Sequence, residues 1–393
     1  MTKTSNKRAN LTLLALAISA FAIGSTEFIS VGLIPMLMQD FGISLSQAGT
    51  TVSLYAIGIV IGAPLLTLLT GKLNRHTLML LTMIIFIVGN LVTAFAPTFM
   101  ILLMGRFIAA LAHGLFMSVS SLIAAAVVPF ERRASAIAIM FTGLTVATVT
   151  GVPLGTFIGQ QTSWQWSFIF ITVIGLIGLI ANFFLIPKDL AIPGKADPKG
   201  IIRILKQPAL RAILLMTIFG YGAPFVVYTY LTPILNTQMG WSMSAVVLIL
   251  VAYGIMVAIG NTLGGKWANK NALTALIRMM SGLAVVMLFL WLVQSMHWLG
   301  LVAVLLMGLF AFMSVPGLQL MMMDQANKLV PEDMTIAASL NISAFNIGIA
   351  FGSTLGGYVS TQMSLNTTPL FSILMVLFAI FIAYRLHKQL QAN

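Results

Sequence analysis

Long apolar runs alternate with short polar or Pro/Gly-rich breaks along nearly the whole chain. The runs reach about 20 residues or more and lack the alternation of short barrel strands, so they predict bilayer-spanning helices. Read against the breaks, they give twelve spans: 11–38, 48–70, 77–96, 98–127, 134–159, 166–187, 209–235, 243–265, 273–295, 298–325, 335–361 and 366–386. The one long polar interruption runs from Lys188 to Gln207, with Pro193, Gly194, Pro198 and Gly200 among Lys195, Lys199, Arg203 and Lys206. This pattern predicts a six-helix bundle over 1–187, a cytoplasmic linker over 188–208 and a second six-helix bundle over 209–393. Lys3, Lys7 and Arg8 precede an apolar stretch far longer than a signal-peptide core, so the sequence predicts a retained first span.

Composition strengthens the membrane reading. Of 393 residues, 59% are hydrophobic and 7% charged, whereas a soluble domain is about one quarter charged. Such a chain cannot cover a water-facing surface. In hydrocarbon the backbone must satisfy its own hydrogen bonds, which these long runs do as helices.

The net charge of +12 changes meaning once the spans are drawn. With the N-terminus inside, Lys3, Lys7, Arg8, Lys72, Arg75, Arg132, Arg133, the linker cluster, Lys266, Lys270, Lys328, Arg385 and Lys388 fall at or near the cytoplasmic face. The outer loops around Asp40, Pro97, Gln161, Asn236, His297 and Asn366 carry no Lys or Arg. That partition predicts cytoplasmic termini. No basic stripe interleaved with aromatics lies outside the helices, so nucleic acid is not an expected partner. Cysteine is absent, which removes disulfides, thiolate metal sites and cysteine nucleophiles. The chain has no HExxH, GxSxG or paired acidic ligands, so neither an enzyme nor a metal site is expected. A passive channel would not need an internal repeat together with a buried acid–base pair.

The halves repeat. Leu102–Phe107 returns as Leu305–Phe310, Phe116-Met117-Ser118-Val119 as Phe312-Met313-Ser314-Val315, and Gly71-Lys72 as Gly265-Lys266. Gly151, Gly155 and Gly159 match Gly348, Gly352 and Gly356. Two parallel six-helix repeats suit an alternating-access carrier.

Few charges lie within the spans, and each is expensive there. Glu27 lies 16 residues after Leu11, about 24 Å along its helix, and Arg106 lies about 12 Å below the outer surface in the fourth. Similar depths predict a pair. His113 follows Arg106 by seven residues on the same face, about 10 Å deeper. The three form either a proton-handling line or a structural ion pair with a packing histidine. The second half has Leu309 where Arg106 stands, and Pro224-Phe225 near where Glu27-Phe28 would fall. Its candidate substrate contacts are Tyr221, Phe225, Tyr228, Gln319, Asn341, Phe345 and Asn346, aromatics and amides suited to uncharged or amphipathic cargo. Gly151, Pro153 and Gly155 allow close packing and a bend in the fifth helix, as a packing seam or as a gate.

These segments resemble the major facilitator superfamily, in its twelve-helix drug–proton antiporter and AraJ-like sugar-efflux group, over nearly the whole chain. Thr26-Glu27-Phe28 with Val31-Gly32-Leu33 looks like that group's first helix, and Gly105-Arg106-Phe107 through Ala112-His113-Gly114 its fourth, whose arginine is implicated in proton coupling. Gly151-Val152-Pro153-Leu154-Gly155 is similar to its antiporter motif, with Val152 splitting the usual Gly-Pro pair. Trp164-Gln165-Trp166 followed by Phe168 is similar to a Trp-Arg pattern of the family, with Gln165 at the arginine. The loop after the second helix departs from the family pattern Gly-x-Leu-x-Asp-Arg-x-Gly-Arg. It reads Gly71-Lys72-Leu73-Asn74-Arg75-His76 and lacks the acid. Lys72 and Arg75 are the remaining gating candidates there. The resemblance implies a monomeric multidrug or sugar efflux carrier driven by the proton gradient, with no other cofactor and lipid as its surroundings. The alternative within transport is a sugar or nucleoside permease, uncoupled from protons.

Overall fold

The computed structural model describes residues 6–70, 73–129, 133–188, 190, 199–268 and 271–392. Among them there is no strand, and twelve helical stretches are long and apolar enough to cross a membrane. In the first half these are α1 (Asn6–Phe41), α2 (Leu45–Thr70), α3 (Arg75–Ala94), α4 (Phe99–Ala126), α5 (Arg133–Val146) continuing into α6 (Val152–Gln161), and α7 (Trp164–Leu185). A short helix, α8 (Lys199–Lys206), precedes the seventh span. That span is broken into α9 (Pro208–Met216), α10 (Phe225–Tyr228) and α11 (Leu231–Pro233). The rest are α12 (Met243–Ala268), α13 (Ala272–Val293), the tenth span as α14 (His297–Ala311) and α15 (Val315–Leu329), α16 (Met334–Gln362) and α17 (Thr368–Ala392). Hydropathy thus located every span to within a few residues.

The chain divides into two compact units: 1–42 with 54–195, and 43–53 with 196–393. The start of α2 groups with the second unit because Gly49 and Ser46 lie against that unit. A side chain at Gly49 would strike the Tyr230 hydroxyl, and one at Gly357 would meet both that hydroxyl and Ser46.

Element ends repeat between the halves as the interiors do. Gly42 (φ 60°) and Gly240 (φ 74°) take the left-handed turn after the first and seventh spans, a conformation that costs a Cβ-bearing residue energy. Two residues on, Ser44 and Ser242 cap the next helices, accepting from the main-chain N–H of Gln47 and Ala245, both at 3.2 Å. The Gln47 side chain returns the bond to Ser44 N, closing a capping box. Asn74 and Asn271 likewise cap α3 and α13 through Thr77 N (2.8 Å) and Thr274 N (3.0 Å).

In the first unit α1 is the central helix, packed on α5, α6 and α7, while α3 lies between α4 and α7. Glycines make the crossings close. Side chains added at Gly151, Gly155 and Gly159 would run into Ser25, Ile29 and Leu33 of α1. In the second unit α16 crosses the broken seventh span more tightly still. There Gly348, Gly352 and Gly356 face the carbonyls of Ile218, Gly222 and Val226 rather than side chains. Each unit carries a π-helical segment beside its glycine crossing, Ala147–Gly151 in the fifth span and Thr217–Tyr221 in the seventh. Pro153 and Pro224 follow within two to three residues. A proline lacks the N–H that an α-helical carbonyl four residues earlier needs, and the widened turn absorbs the mismatch.

Candidate functional site

The polar interior of the first unit is assembled from α1, α2, α3 and α4. Gly105 lets α4 approach α3 closely, since a Cβ there would meet Thr93 N at 2.5 Å and Gly89 O at 2.7 Å. The next residue, Arg106, is fully buried. Its guanidinium donates to the carbonyl oxygen of Thr26 and to that of Glu27, the latter at 3.2 Å. Each carbonyl has a second lone pair, so the arginine binds the helix without costing α1 its own hydrogen bonds. The guanidinium carbon also lies 4.2 Å from the ring centre of Tyr55 and 5.9 Å from that of Phe168, within reach of cation–π attraction.

Tyr55 carries the site onward. Its hydroxyl is 3.3 Å from His113 Nδ1, two turns along α4 from Arg106. On the other flank, the Thr26 hydroxyl donates to Asn90 Oδ1 at 3.2 Å, and Asn90 Nδ2 donates to Phe86 O at 2.9 Å. Glu27 is partly exposed, and its charge and that of Arg106 attract each other. The structure therefore brings all three sequence candidates into one connected cluster. It adds Tyr55 and Asn90, which sequence reasoning missed. Each is a polar side chain inside an apolar run, the one signal available for it.

The candidate contacts of the second unit form two groups. Tyr221 packs against Phe345 (4.8 Å between ring centres), Phe225 (5.3 Å) and Phe312 (5.4 Å), and Tyr228 stacks on Tyr253 at 5.1 Å. Phe312 and Tyr253 are additions to the sequence reading. The amides behave differently from the rings. Asn341 Nδ2 donates to Gln319 Oε1 at 2.8 Å, Thr217 donates to Asn341 Oδ1 at 2.7 Å, and Gln319 Nε2 donates to Ala338 O at 3.3 Å. Those two amides stitch helices together. Asn346 spends its amide nitrogen on Ile342 O, in its own helix, at 3.0 Å. Its Oδ1, like the Tyr253 hydroxyl, is a buried polar atom with no hydrogen-bond partner among the described residues.

Gly151, Pro153 and Gly155 sit in and just after the π segment, on the crossing with α1. Arg75 opens α3 and is half-buried. Lys72 lies outside the described residues.

A model of the Major Facilitator Superfamily matches residues 16–330. The chain belongs to that superfamily. Among its relatives, the MFS-type transporter YtbD of Bacillus subtilis (strain 168) is 48% identical over 378 residues, 96% of each chain. The inner membrane transport protein YdhP of Escherichia coli (strain K12) is 37% identical over 352 residues, 90% of this chain and 89% of that one. The putative transporter AraJ of Escherichia coli (strain K12) is 29% identical over 352 residues, 89% of this chain and 88% of the other. The crystal structure of a D-xylose–proton symporter shares the fold, with a TM-score of 0.76 at 15% identity over 95% of this chain and 97% of that one. This superfamily member is thus a membrane transporter and not an enzyme, a multi-pass protein of the bacterial inner membrane.

Proposed function

We propose that this protein is a proton-coupled exporter of small amphipathic molecules, working by alternating access, with Glu27 as the group that gains and loses the proton. The observation that carries the proposal is how Arg106 is held. A guanidinium bonded to two main-chain carbonyls keeps acceptors whatever the protonation state of the neighbouring carboxyl. Glu27 is then free to become neutral without stranding a buried cation. Tyr55 links the arginine to His113, which gives the proton a second polar station deeper in the unit.

The cargo reading rests on the second unit. Its amides at Gln319 and Asn341 are occupied by one another, which argues against the polyhydroxylated cargo of a sugar or nucleoside permease. The rings of Tyr221, Phe225 and Phe345 favour a cargo with a flat apolar portion.

The test uses purified protein in proteoliposomes, with a lipophilic aromatic cation and a pentose as probe substrates. For Glu27→Gln, substrate-driven proton flux should fall to background while substrate counterflow persists. Undiminished proton flux in that variant removes Glu27 from the mechanism. Transport that ignores an imposed pH gradient in the wild type removes coupling altogether.

A further inference from the structure

The short helix between the halves belongs to neither the proton cluster nor the aromatic one. α8 has eight residues, Lys199 to Lys206, about 12 Å of helix. That is too short to cross a hydrocarbon core of about 30 Å. Only Gln207 separates it from Pro208, the first residue of the seventh span, so it lies at the bilayer surface.

Helical periodicity divides α8 into three faces. Gly200 and Ile204 form the first, buried against its own unit. A Cβ at Gly200 would meet Asp333 Oδ1 and the Ile336 side chain, both at 2.5 Å. Ile201, Ile202 and Leu205 form the second, and Ile202 and Leu205 are 57% and 43% exposed. Lys199, Arg203 and Lys206 form the third. Arg203 fixes the rotation of the helix: its Nε and Nη2 donate to the two carboxylate oxygens of Asp333, each at 2.6 Å. With that rotation set, the apolar strip lies beside the basic one, and Ile202, Leu205 and Lys206 are exposed together. Just past Gln207, Arg211 in the first turn of α9 and Leu215 in the same helix are exposed as well.

We propose that α8 is an anionic-phospholipid recognition element, with Ile202 and Leu205 inserted at the acyl boundary and Lys206 and Arg211 holding acidic headgroups. A surface helix with apolar and basic faces adjacent has the chemistry that an anionic leaflet binds. A soluble acidic partner would satisfy the basic strip alone and leave the isoleucine and leucine in water. The Arg203–Asp333 pair ties the lipid contact to the inner end of α16, so the leaflet bears on the helix that crosses the seventh span.

The absence of cysteine makes the test direct. Ile202→Cys carries a unique fluorescent label in the full chain, in nanodiscs of zwitterionic lipid containing a fixed fraction of phosphatidylglycerol. A nitroxide placed on the phosphatidylglycerol should quench the label about fivefold more than the same nitroxide on phosphatidylcholine at equal mole fraction, the bias of one basic side chain near an anionic surface. Lys206→Gln with Arg211→Gln should remove the preference without changing the fold, as both side chains are exposed. A label at Leu205→Cys should behave as that at Ile202→Cys. Equal quenching by the two lipids overturns headgroup recognition. A label that neither lipid quenches overturns the proposal too, whether acrylamide reaches it (water) or not (a protein surface covering it).

Discussion

The two units solve the same packing problem with opposite interiors. Each has a capped, glycine-turned helix pair, and each has a close crossing at three glycines with a π segment alongside. Yet the first unit sets a buried guanidinium and histidine beside a partly exposed carboxyl, and the second gathers aromatic rings and a hydrogen-bonded pair of amides. The irregular segment also changes partner. It lies in the glycine-bearing fifth span in one unit and in the seventh span, facing the glycines, in the other. On the function proposed above, a scaffold that repeats while its chemistry diverges would separate two jobs, charge handling in one unit and cargo contact in the other.

The largest effect should come from Arg106→Gln. It strands the carboxyl of Glu27 without its cation, a loss on the order of 3 kcal/mol, so proton-coupled transport in proteoliposomes should drop about a hundredfold or more. Arg106→Lys should not restore it, because lysine has one nitrogen in place of the two, Nη1 and Nη2, that reach the carbonyls of Thr26 and Glu27 separately. Full coupling in the lysine variant would erase the contrast between the units. Next is Tyr221→Ala, which removes the hub of the aromatic group. Substrate affinity for an aromatic cation should weaken about tenfold, from ring contacts worth roughly 0.5–1.5 kcal/mol each, with the proton-to-substrate ratio unchanged. A changed ratio would show that the second unit shares in coupling.

Tyr55→Phe is subtler. It keeps the ring under Arg106 and deletes only the hydroxyl beside His113, a bond worth about 1 kcal/mol. The transport rate should fall about fivefold and its pH profile should move, while binding measured without a pH gradient stays put. The smallest effect belongs to an acid outside the spans. The bonds from Arg203 hold the Asp333 carboxyl below the usual carboxylate range. Its stabilising contribution is therefore full above about pH 4 and is lost as pH falls through the depressed value. Thermal unfolding should show Asp333→Asn modestly less stable than wild type at neutral pH, with the gap closing on acidification. A gap that widens in acid would mean that Asp333 does not act as an ion there.

What the sequence disclosed and what it hid differ in kind. Span positions were legible because a bilayer demands apolar length, and their ends fall at Gly42, Ser44, Asn74, Gly240, Ser242 and Asn271, residues whose backbone preferences are local. The shared depth of Glu27 and Arg106 was legible because rise per residue is fixed. Which face a residue turns was not. Tyr55, Asn90 and Tyr253 sit in largely apolar helices, and Phe312 in the turn between α14 and α15, so only packing reveals that they join the clusters. Gln319 and Asn341 were legible as amides inside the spans, but not that they bond each other, Thr217 and Ala338 O. Pro224 was legible within the seventh span, whereas the π turn that precedes it depends on how a neighbouring helix crowds the backbone.

The two widened turns beside the glycine crossings set where the molecule yields. A bilayer that thickens or thins obliges spanning helices to change tilt or bend, and a helix bends first where its hydrogen-bond ladder is already interrupted. Of the π-helical interruptions among the described residues, Ala147–Gly151 stands beside the polar cluster and Thr217–Tyr221 beside the aromatic cluster, while Ile234–Gln238 lies at the far end of the seventh span. Changes in membrane thickness are therefore delivered to the sites themselves, and the working rate of the carrier will depend on the acyl-chain length of its host lipid.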